Sequence, residues 1–363
     1  MNQALGALGS VPASGQSAAS NEPSWRPALR PMERPVQLKV VSYQKADFPE
    51  INWLKRLLPG FTVEQVEDVA QAKVIPNSIV ICKRLGQLRP ALLQTISATP
   101  GMVLFHISDE WYWDRLEPYR CFTHVLRNYH HSALRQEGIT QIPMGPSRFS
   151  DGKPEIRPAG ERRHRWCFVG NLASTRGLMV RQLENIKPRY LHITGTRGQS
   201  ATWLTPDEYL SVLRDSIFVP CPMGNVNLES FRLYEALDCG AIPIVERRPF
   251  LDYFTQLFGP HPLPSVCHWE EARSVIHSLC SDPVRLQDKQ VEIREWWRQF
   301  ETRVSNQVNS ALNAAVGRKT RMHFAAGVPS RIRGFGEMLK HQNGPTLLAR
   351  SKLTLRRLCG RHT

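Results

Sequence analysis

Short apolar runs alternate with amphipathic stretches along most of the first half of the chain. Five of the runs are short and rich in β-branched or aromatic residues, which predicts strands at residues 36–42, 78–82, 101–107, 124–128 and 140–143. Apolar residues at helical spacing predict helices between them, at 53–58, 90–96 and 132–136. Because strands that alternate with helices pair in parallel through crossovers, this half predicts a parallel α/β unit.

The alternation begins again after residues 150–164, whose glycines, prolines and charges predict a linker. The second half has predicted strands at 166–170, 190–194, 216–220 and 241–245, and predicted helices at 175–186, 206–214, 231–237, 269–280 and 284–316. The chain therefore predicts two similar α/β units. Ligands of parallel sheets bind beyond the carboxyl ends of the strands, so we expect the site in a cleft between the units.

Composition limits the class of protein. Of the 363 residues, 41% are hydrophobic and 22% are charged, which is typical of packed domains and excludes a mainly disordered chain. No stretch approaches the roughly 20 apolar residues of a membrane span, and the N-terminal sequence has no signal-peptide pattern. The eight cysteines form no C-x-x-C pair, so we expect free thiols in a reducing, cytoplasmic compartment.

The net charge of +15 is unevenly distributed. Lysines and arginines are frequent after Arg318, where Glu337 is the one acidic residue, so this segment predicts a basic tail. Such a tail either contacts an anionic membrane or polymer or is a solvated segment. Aromatic residues that would stack on bases are scarce there, which disfavours a nucleic-acid-binding protein. Residues 1–35, rich in Ser, Ala, Gly and Pro, predict a second flexible tail.

Residues 216–246 suggest the chemistry. A predicted strand leads into a loop with Pro222 and Gly224, and a helix with Arg232 and Glu235 on one face follows. The loop amides and the helix N-terminus suit phosphate oxygens, while the guanidinium could neutralise a diphosphate and the carboxylate could accept from ribose hydroxyls. The alternative is a surface Arg–Glu pair of little energetic value, but the glycine-bearing loop favours the binding site.

The run C-P-x-G-x-x-N-x-E-x-x-R-x-Y-E-A, followed by G-x-I-P-I-V-E, resembles the signature of exostosin-type glycosyltransferases. It is most similar to the ribitol-phosphate xylosyltransferase branch, over about residues 100–250. The resemblance implies a GT-B fold, in which two Rossmann-like domains face a cleft, and inverting transfer from a nucleotide sugar, as in polysaccharide biosynthesis. It implies an acceptor-side domain at 36–150, a nucleotide-sugar-binding domain at 162–300, and a helix with the basic tail at 301–363.

A second segment, Phe168 to Asn171 with Arg176 soon after, resembles the family's strand-end loop, although an ordinary turn with a solvated arginine would look the same. Together the two segments imply a set of donor-binding residues: Gly170, Asn171, Arg176, Pro222, Gly224, Asn227, Glu229, Ser230, Arg232, Tyr234 and Glu235.

Inverting transfer needs a base that deprotonates the acceptor hydroxyl. Asp109, Glu110 and His106, in that order, are our candidates, because they lie at the carboxyl end of a predicted buried strand. The acids could instead cap the next helix, and His106 could be a satisfied core histidine. A D-x-D motif is missing, and Asn227 stands where many retaining enzymes have a glutamate, so we expect metal-independent inversion with no cofactor beyond the co-substrate.

The leading hypothesis is therefore a cytoplasmic enzyme that moves a sugar from a nucleotide donor, expected to be a UDP-sugar, to a glycan or polyol-phosphate acceptor. Its basic tail would contact an anionic membrane or polymer peripherally, and no specific nucleic acid is expected. The alternative hypothesis is a non-catalytic sugar-nucleotide or glycan-binding protein on the same scaffold.

The leading hypothesis makes a first prediction about Arg232. Replacement of Arg232 by alanine should abolish UDP binding, because it removes the cation that neutralises the diphosphate. Titration of the purified protein with UDP measures the effect. Unchanged affinity in this variant would discard the assignment.

Overall fold

The computed structural model describes residues 39–42, 49–58, 63–65, 74–148, 155–195, 203–319, 321–324 and 330–342. The predicted tail at 1–35 lies outside these ranges, as do the residues after 342. Within them, eleven strands form two sheets, and every neighbouring pair of strands is parallel.

The first sheet has six strands in the order β2-β1-β3-β4-β5-β6. Its strands are β1 (Lys39–Ser42), β2 (Val63–Gln65), β3 (Ser78–Cys82), β4 (Val103–His106), β5 (His124–Arg127) and β6 (Ile139–Gln141), with helices α1 (Pro49–Leu57) and α2 (Pro90–Ala98). The three-residue strand β2 has too short a pattern to be predicted. The helix predicted at 132–136 is a single 3₁₀ turn, Ser132–Leu134.

The second sheet has five strands in the order β11-β10-β9-β7-β8. Its strands are β7 (His164–Gly170), β8 (Arg189–Ile193), β9 (Ser216–Cys221), β10 (Ile242–Glu246) and β11 (Ser265–Val266), with helices α3 (Arg176–Leu183), α4 (Pro206–Arg214), α5 (Phe231–Asp238), α6 (Tyr253–Phe258) and α7 (Trp269–Cys280). Strands β9 and β10 are buried along their whole length, as their continuous apolar runs predict. The predicted fold, two parallel Rossmann-like sheets of the GT-B class, is confirmed.

A long helix, α8 (Pro283–Ala315), follows both sheets in sequence and packs against elements of each. Asp282 is the N-cap of α8, and its carboxylate accepts from the amides of Val284 and Arg285. Trp297 on α8 stacks on Trp53 of α1 with ring centroids 6.0 Å apart, and Ser305 donates to the carbonyl of Leu57 at 2.8 Å. Trp53 and Trp297 therefore belong to one hydrophobic core that includes side chains of both sheets.

Two segments are more ordered than their composition predicts. In the segment that joins the sheets, Arg162 is buried and donates to the carbonyls of Ser216 (2.8 Å) and Cys239 (2.9 Å), so this part of the predicted linker is packed. Within the predicted basic tail, Ser330–Lys340 form a helix, α9, whose Met338 is fully buried. The sequence pattern does not predict this helix, because apolar and hydrogen-bonding side chains of α9 are spaced among its charges.

In the described part of the chain, the structure contains no helix with the length and apolar character of a bilayer span.

The loop after β6 generates a stability prediction. Gly145 has a φ of +71°, and a Cβ atom there would lie 2.2 Å from Cγ of Trp53. Gly145→Ala should lower the free energy of unfolding by about 2–4 kcal/mol, because it adds a clash to a left-handed backbone. Gly160→Ala is the control, since a Cβ atom there meets nothing within 4 Å. Equal thermal stability of the two variants would contradict the packing described here.

Candidate functional site

The carboxyl end of β9 continues into the loop 222–230, which we call the signature loop. Pro222 is buried, and the amide of Gly224 donates to the carbonyl of Asn227 at 2.7 Å, which closes a tight turn. The side-chain oxygen of Asn227 then accepts from the amide of Glu229 at 2.8 Å. These bonds fix the loop, and Asn225 remains exposed at its tip.

Arg232, in the first turn of α5, lies against the end of β7. Its guanidinium sits 4.5 Å from the ring centroid of Phe168, and Nη2 donates to the carbonyl of Val169 at 2.7 Å. Gly170 makes this possible, because it has a φ of +150° and a Cβ atom there would lie 2.9 Å from that nitrogen. The structure thus brings together two predicted donor residues that are 62 positions apart in sequence.

Two polar atoms beside this contact have no hydrogen-bond partner among the described residues: Oγ of Ser230 and Nε of Arg232. Both atoms are shielded from solvent, and buried polar atoms in proteins are normally paired. Asn171 and Arg176 lie at the same edge of the sheet, where Nη1 of Arg176 donates to Oδ1 of Asn171 at 2.7 Å. The edge therefore presents polar groups and two arginines in one place.

Other predicted donor residues are buried and hold the two sheets together instead. Glu229 accepts from the amide of Met144 at 2.6 Å and from the hydroxyls of Tyr253 (2.5 Å) and Tyr234. Burial raises the pKa of the Glu229 carboxyl above its ordinary value. Tyr234, fully buried, has its hydroxyl on this carboxylate, so neither side chain is placed to contact a donor.

Glu235 and Asn227 require the same correction. Glu235 is 1% exposed and accepts from Ser147 Oγ at 2.5 Å and from the Tyr209 hydroxyl at 2.8 Å. The side-chain amide of Asn227 donates to the hydroxyl of Tyr112, which follows β4 of the first sheet. A carboxylate with both oxygens occupied is not available to ribose hydroxyls, so the predicted ribose contact of Glu235 does not fit this structure.

The candidate bases lie at the carboxyl end of β4, as predicted, but two of them have structural partners. His106 is fully buried; its Nδ1 accepts from Nη1 of Arg127 at 2.9 Å, and its Nε2 lies 3.0 Å from a carboxylate oxygen of Asp114. Asp109 accepts from Nη2 of Arg127 and from the amide of Trp113, both at 2.9 Å. Burial acts to lower the pKa of Arg127, but Tyr119 and Asp109 raise it above its ordinary value.

Glu110 is different, since its partners lie on the signature loop. Its Oε1 accepts from the amides of Asn225 (2.8 Å) and Val226 (2.9 Å), and its Oε2 accepts from the Asn225 side chain at 3.2 Å. Glu110 is half-buried, and it faces the same loop as the predicted donor residues. The geometry therefore changes the predicted order of the bases and favours Glu110 over Asp109 and His106. These contacts also join the loops of the two sheets where the sequence predicts an open cleft.

Several residues that position the loop were not predicted. Glu246, at the end of β10, accepts from the amide of Met223 (3.0 Å), from Thr175 Oγ1 (2.7 Å) and from Arg248 Nη1 (2.7 Å). The sequence contained a signal for it, because Glu246 ends the run G-x-I-P-I-V-E. Glu246 thus holds the amide of Met223, near the start of the signature loop.

The two residues that follow α9 hold the loop from the other side. The imidazole Nδ1 of His341 accepts from the amide of Leu228 at 3.3 Å, and the Gln342 side chain donates to the carbonyl of Val226 at 2.9 Å. His341 is fully buried beside the rings of Tyr112 and Tyr253. No motif in the sequence predicts these contacts, because only the folded chain brings the end of α9 to the loop.

The described residues contain no cluster of three or more His, Cys, Asp or Glu side chains placed to hold a metal ion.

Comparison with known proteins finds a family model that matches the second half of the chain. Residues 154–316 match the family model described as the RXYLT1 C-terminal domain, a span that includes the signature loop, Gly170 and Arg232. A search of curated proteins finds no match.

Solved structures of glycosyltransferases are similar at low identity. An α1,3-fucosyltransferase is 12% identical with a TM-score of 0.49, and the match covers 82% of this chain and 95% of that one. TarM is 12% identical with a TM-score of 0.41, covering 66% and 55%. HepE of Anabaena, solved with UDP, is 10% identical with a TM-score of 0.40, covering 77% and 100%. At these scores the likenesses carry no weight for substrate or mechanism.

The two parallel sheets agree with the GT-B architecture that the signature predicts, and the family match supports a glycosyltransferase-like protein. More particularly, residues 154–316 are similar to the RXYLT1 C-terminal domain. This match confirms the family resemblance that the signature indicates.

The buried His341 generates a prediction about pH. Burial lowers the pKa of its imidazole from 6.5 to about 3. The unfolded chain therefore binds a proton near pH 6.5 that the folded chain does not bind until about pH 3, so the free energy of unfolding should fall as the pH is lowered from 6.5 to 4. This group alone accounts for at most about 1.4 kcal/mol per pH unit.

Urea unfolding of the wild type and of His341→Asn at pH 7 and pH 5 measures this contribution. The variant should be less stable at pH 7, because it loses ring packing, but its stability should depend less on pH. Parallel losses in the two proteins would show that His341 does not contribute to the pH dependence.

Proposed function

We propose that the protein transfers a sugar from a nucleotide-sugar donor to a hydroxyl group of an acceptor, with inversion at the anomeric carbon. The observation that carries the proposal is the contact of Arg232 with the end of β7 at Gly170. Arg232 lies two residues after Ser230, whose Oγ has no hydrogen-bond partner among the described residues. A guanidinium and a free hydroxyl at the carboxyl edge of a parallel sheet are suited to a diphosphate. Arg176 at the start of α3 adds a second positive charge there.

In the proposed reaction, Glu110 accepts the proton of the acceptor hydroxyl. The hydroxyl oxygen forms a bond to the anomeric carbon while the bond from that carbon to the phosphate oxygen breaks. The electron pair of the broken bond leaves with the nucleoside diphosphate, whose charge Arg232 and the loop amides stabilise. Glu110 is preferred as the base because Arg127 already occupies both Asp109 and His106.

The donor and acceptor classes also belong to this proposal. We assign a UDP-sugar and a glycan or polyol-phosphate acceptor, supported by the resemblance of the signature and the RXYLT1-like domain. Transfer without a metal ion, a cytoplasmic location, and contact of the basic tail with an anionic membrane or polymer remain predictions of the sequence.

Gly170 provides a test with a matched control. Gly170→Ala places a methyl group 2.9 Å from the Arg232 guanidinium and should weaken UDP binding roughly tenfold to a hundredfold. Gly177→Ala, seven residues further on in α3, makes only an ordinary contact at 3.5 Å and should bind UDP like the wild type. Calorimetric titration with UDP and turnover assays with a panel of UDP-sugars and GDP-sugars measure binding and transfer separately.

If both variants bind as the wild type does, the donor site lies elsewhere. If UDP binds at the predicted site but no donor is consumed with any acceptor, the protein is the non-catalytic nucleotide-binding alternative instead.

A further inference from the structure

The contact of Glu110 with the signature loop differs from the other carboxylate contacts between the two sheets. Glu229 and Glu235 are each 1% exposed, and they accept from hydroxyl groups and, for Glu229, from the amide of the buried Met144. Glu110 is half-buried, and its principal partners are two successive backbone amides next to the exposed Asn225. A ligand from solvent can therefore approach the Glu110 contact from the side of Asn225.

The amides of Asn225 and Val226 converge on one oxygen, Oε1 of Glu110, at 2.8 and 2.9 Å. Successive amides that point at one position form a binding site for an anionic oxygen, whether carboxylate or phosphate. The side-chain nitrogen of Asn225 provides a third donor, to Oε2 at 3.2 Å. The loop thus has the donors of a phosphate site, and in this structure a carboxylate of the chain itself occupies them.

Gly224 supports the same conclusion. A Cβ atom on Gly224 would lie 3.0 Å from Oε1 of Glu110, which is closer than ordinary contact. The absence of a side chain at this position therefore allows an anion to approach the two amides. The requirement is the same for a phosphate oxygen in place of the carboxylate.

We infer that the amides of Asn225 and Val226 bind the diphosphate of the donor, and that Glu110 occupies them until the donor displaces it. The inference rests on the proposed function and adds an order of events to it. Once displaced, the Glu110 carboxylate has lost its hydrogen bonds and accepts the proton of the acceptor hydroxyl. The base is thus freed only when the donor is bound, so the donor binds first.

Nucleotide affinity in variants of Glu110 tests this inference. Glu110→Ala removes the internal competitor and should bind UDP, GDP and inorganic pyrophosphate about tenfold more tightly than the wild type, because its empty amides are always competent to bind. Glu110→Gln keeps a neutral oxygen that competes less well, so its affinity should be intermediate. Both variants should lose transfer activity by a factor of at least about 100, because they lack the base.

Glu137→Ala is the control for charge. Glu137 is exposed and precedes β6 at the amino edge of the same sheet, so its removal changes the net charge equally but leaves the loop untouched. Its affinity and activity should equal those of the wild type. Titration calorimetry of the full chain with each of the three probes gives the affinities, and steady-state kinetics with the accepted UDP-sugar give kcat and KM separately.

The outcomes separate the inference from the proposed function. If wild type and both Glu110 variants bind the probes equally, or the variants bind more weakly, the inference is overturned while a nucleotide site remains. If Glu137→Ala also gains affinity, the effect is one of general charge and the inference is overturned as well. If no probe binds to any of the proteins, the proposed function itself fails, and the inference with it.

Discussion

The two sheets are held in their relative positions by buried carboxylates that must be paired. Glu229 precedes α5 and Glu235 lies within it, and each accepts from a group in the segment after β6, the amide of Met144 and the hydroxyl of Ser147. A buried carboxylate that loses its partners costs several kcal/mol, so any arrangement that separates these groups is strongly disfavoured. The position of α5, and with it that of Arg232, follows from this constraint.

The signature therefore contains residues of two kinds. Asn227, Glu229, Tyr234 and Glu235 lie inside the protein and hold the loop and α5 to the first sheet. The other kind lies at the edge of the sheet, where Gly224 leaves room beside the amides of residues 225 and 226, and where the guanidinium of Arg232 meets β7. Part of a motif that looks like one ligand-binding unit therefore serves to hold the two halves of the chain together.

The loop is also held by parts of the chain outside the RXYLT1-like domain. Glu110 contacts it from the first sheet, and His341 and Gln342 contact it from the segment that directly follows α9. These contacts differ in how deeply their partners are buried. The partners of His341 are buried aromatic rings, whereas Glu110 is half-buried and one of its two amide donors belongs to the exposed Asn225. Local motion of the loop should therefore begin on the side of Glu110 and Asn225.

The sequence alone determined the alternation of strands and helices, the two parallel sheets and the resemblance of the second half to the RXYLT1 C-terminal domain, because these depend on local periodicity and on one motif of closely spaced residues. It also located the segments that meet at the site, since the carboxyl ends of parallel strands share one edge. It did not determine which motif residues face solvent, or that Arg127 would occupy Asp109 and His106 and leave Glu110 on the loop. Those outcomes depend on contacts between residues up to 116 positions apart, such as that of Glu110 with Val226, and only the packing of the whole chain decides which donor reaches which carboxylate.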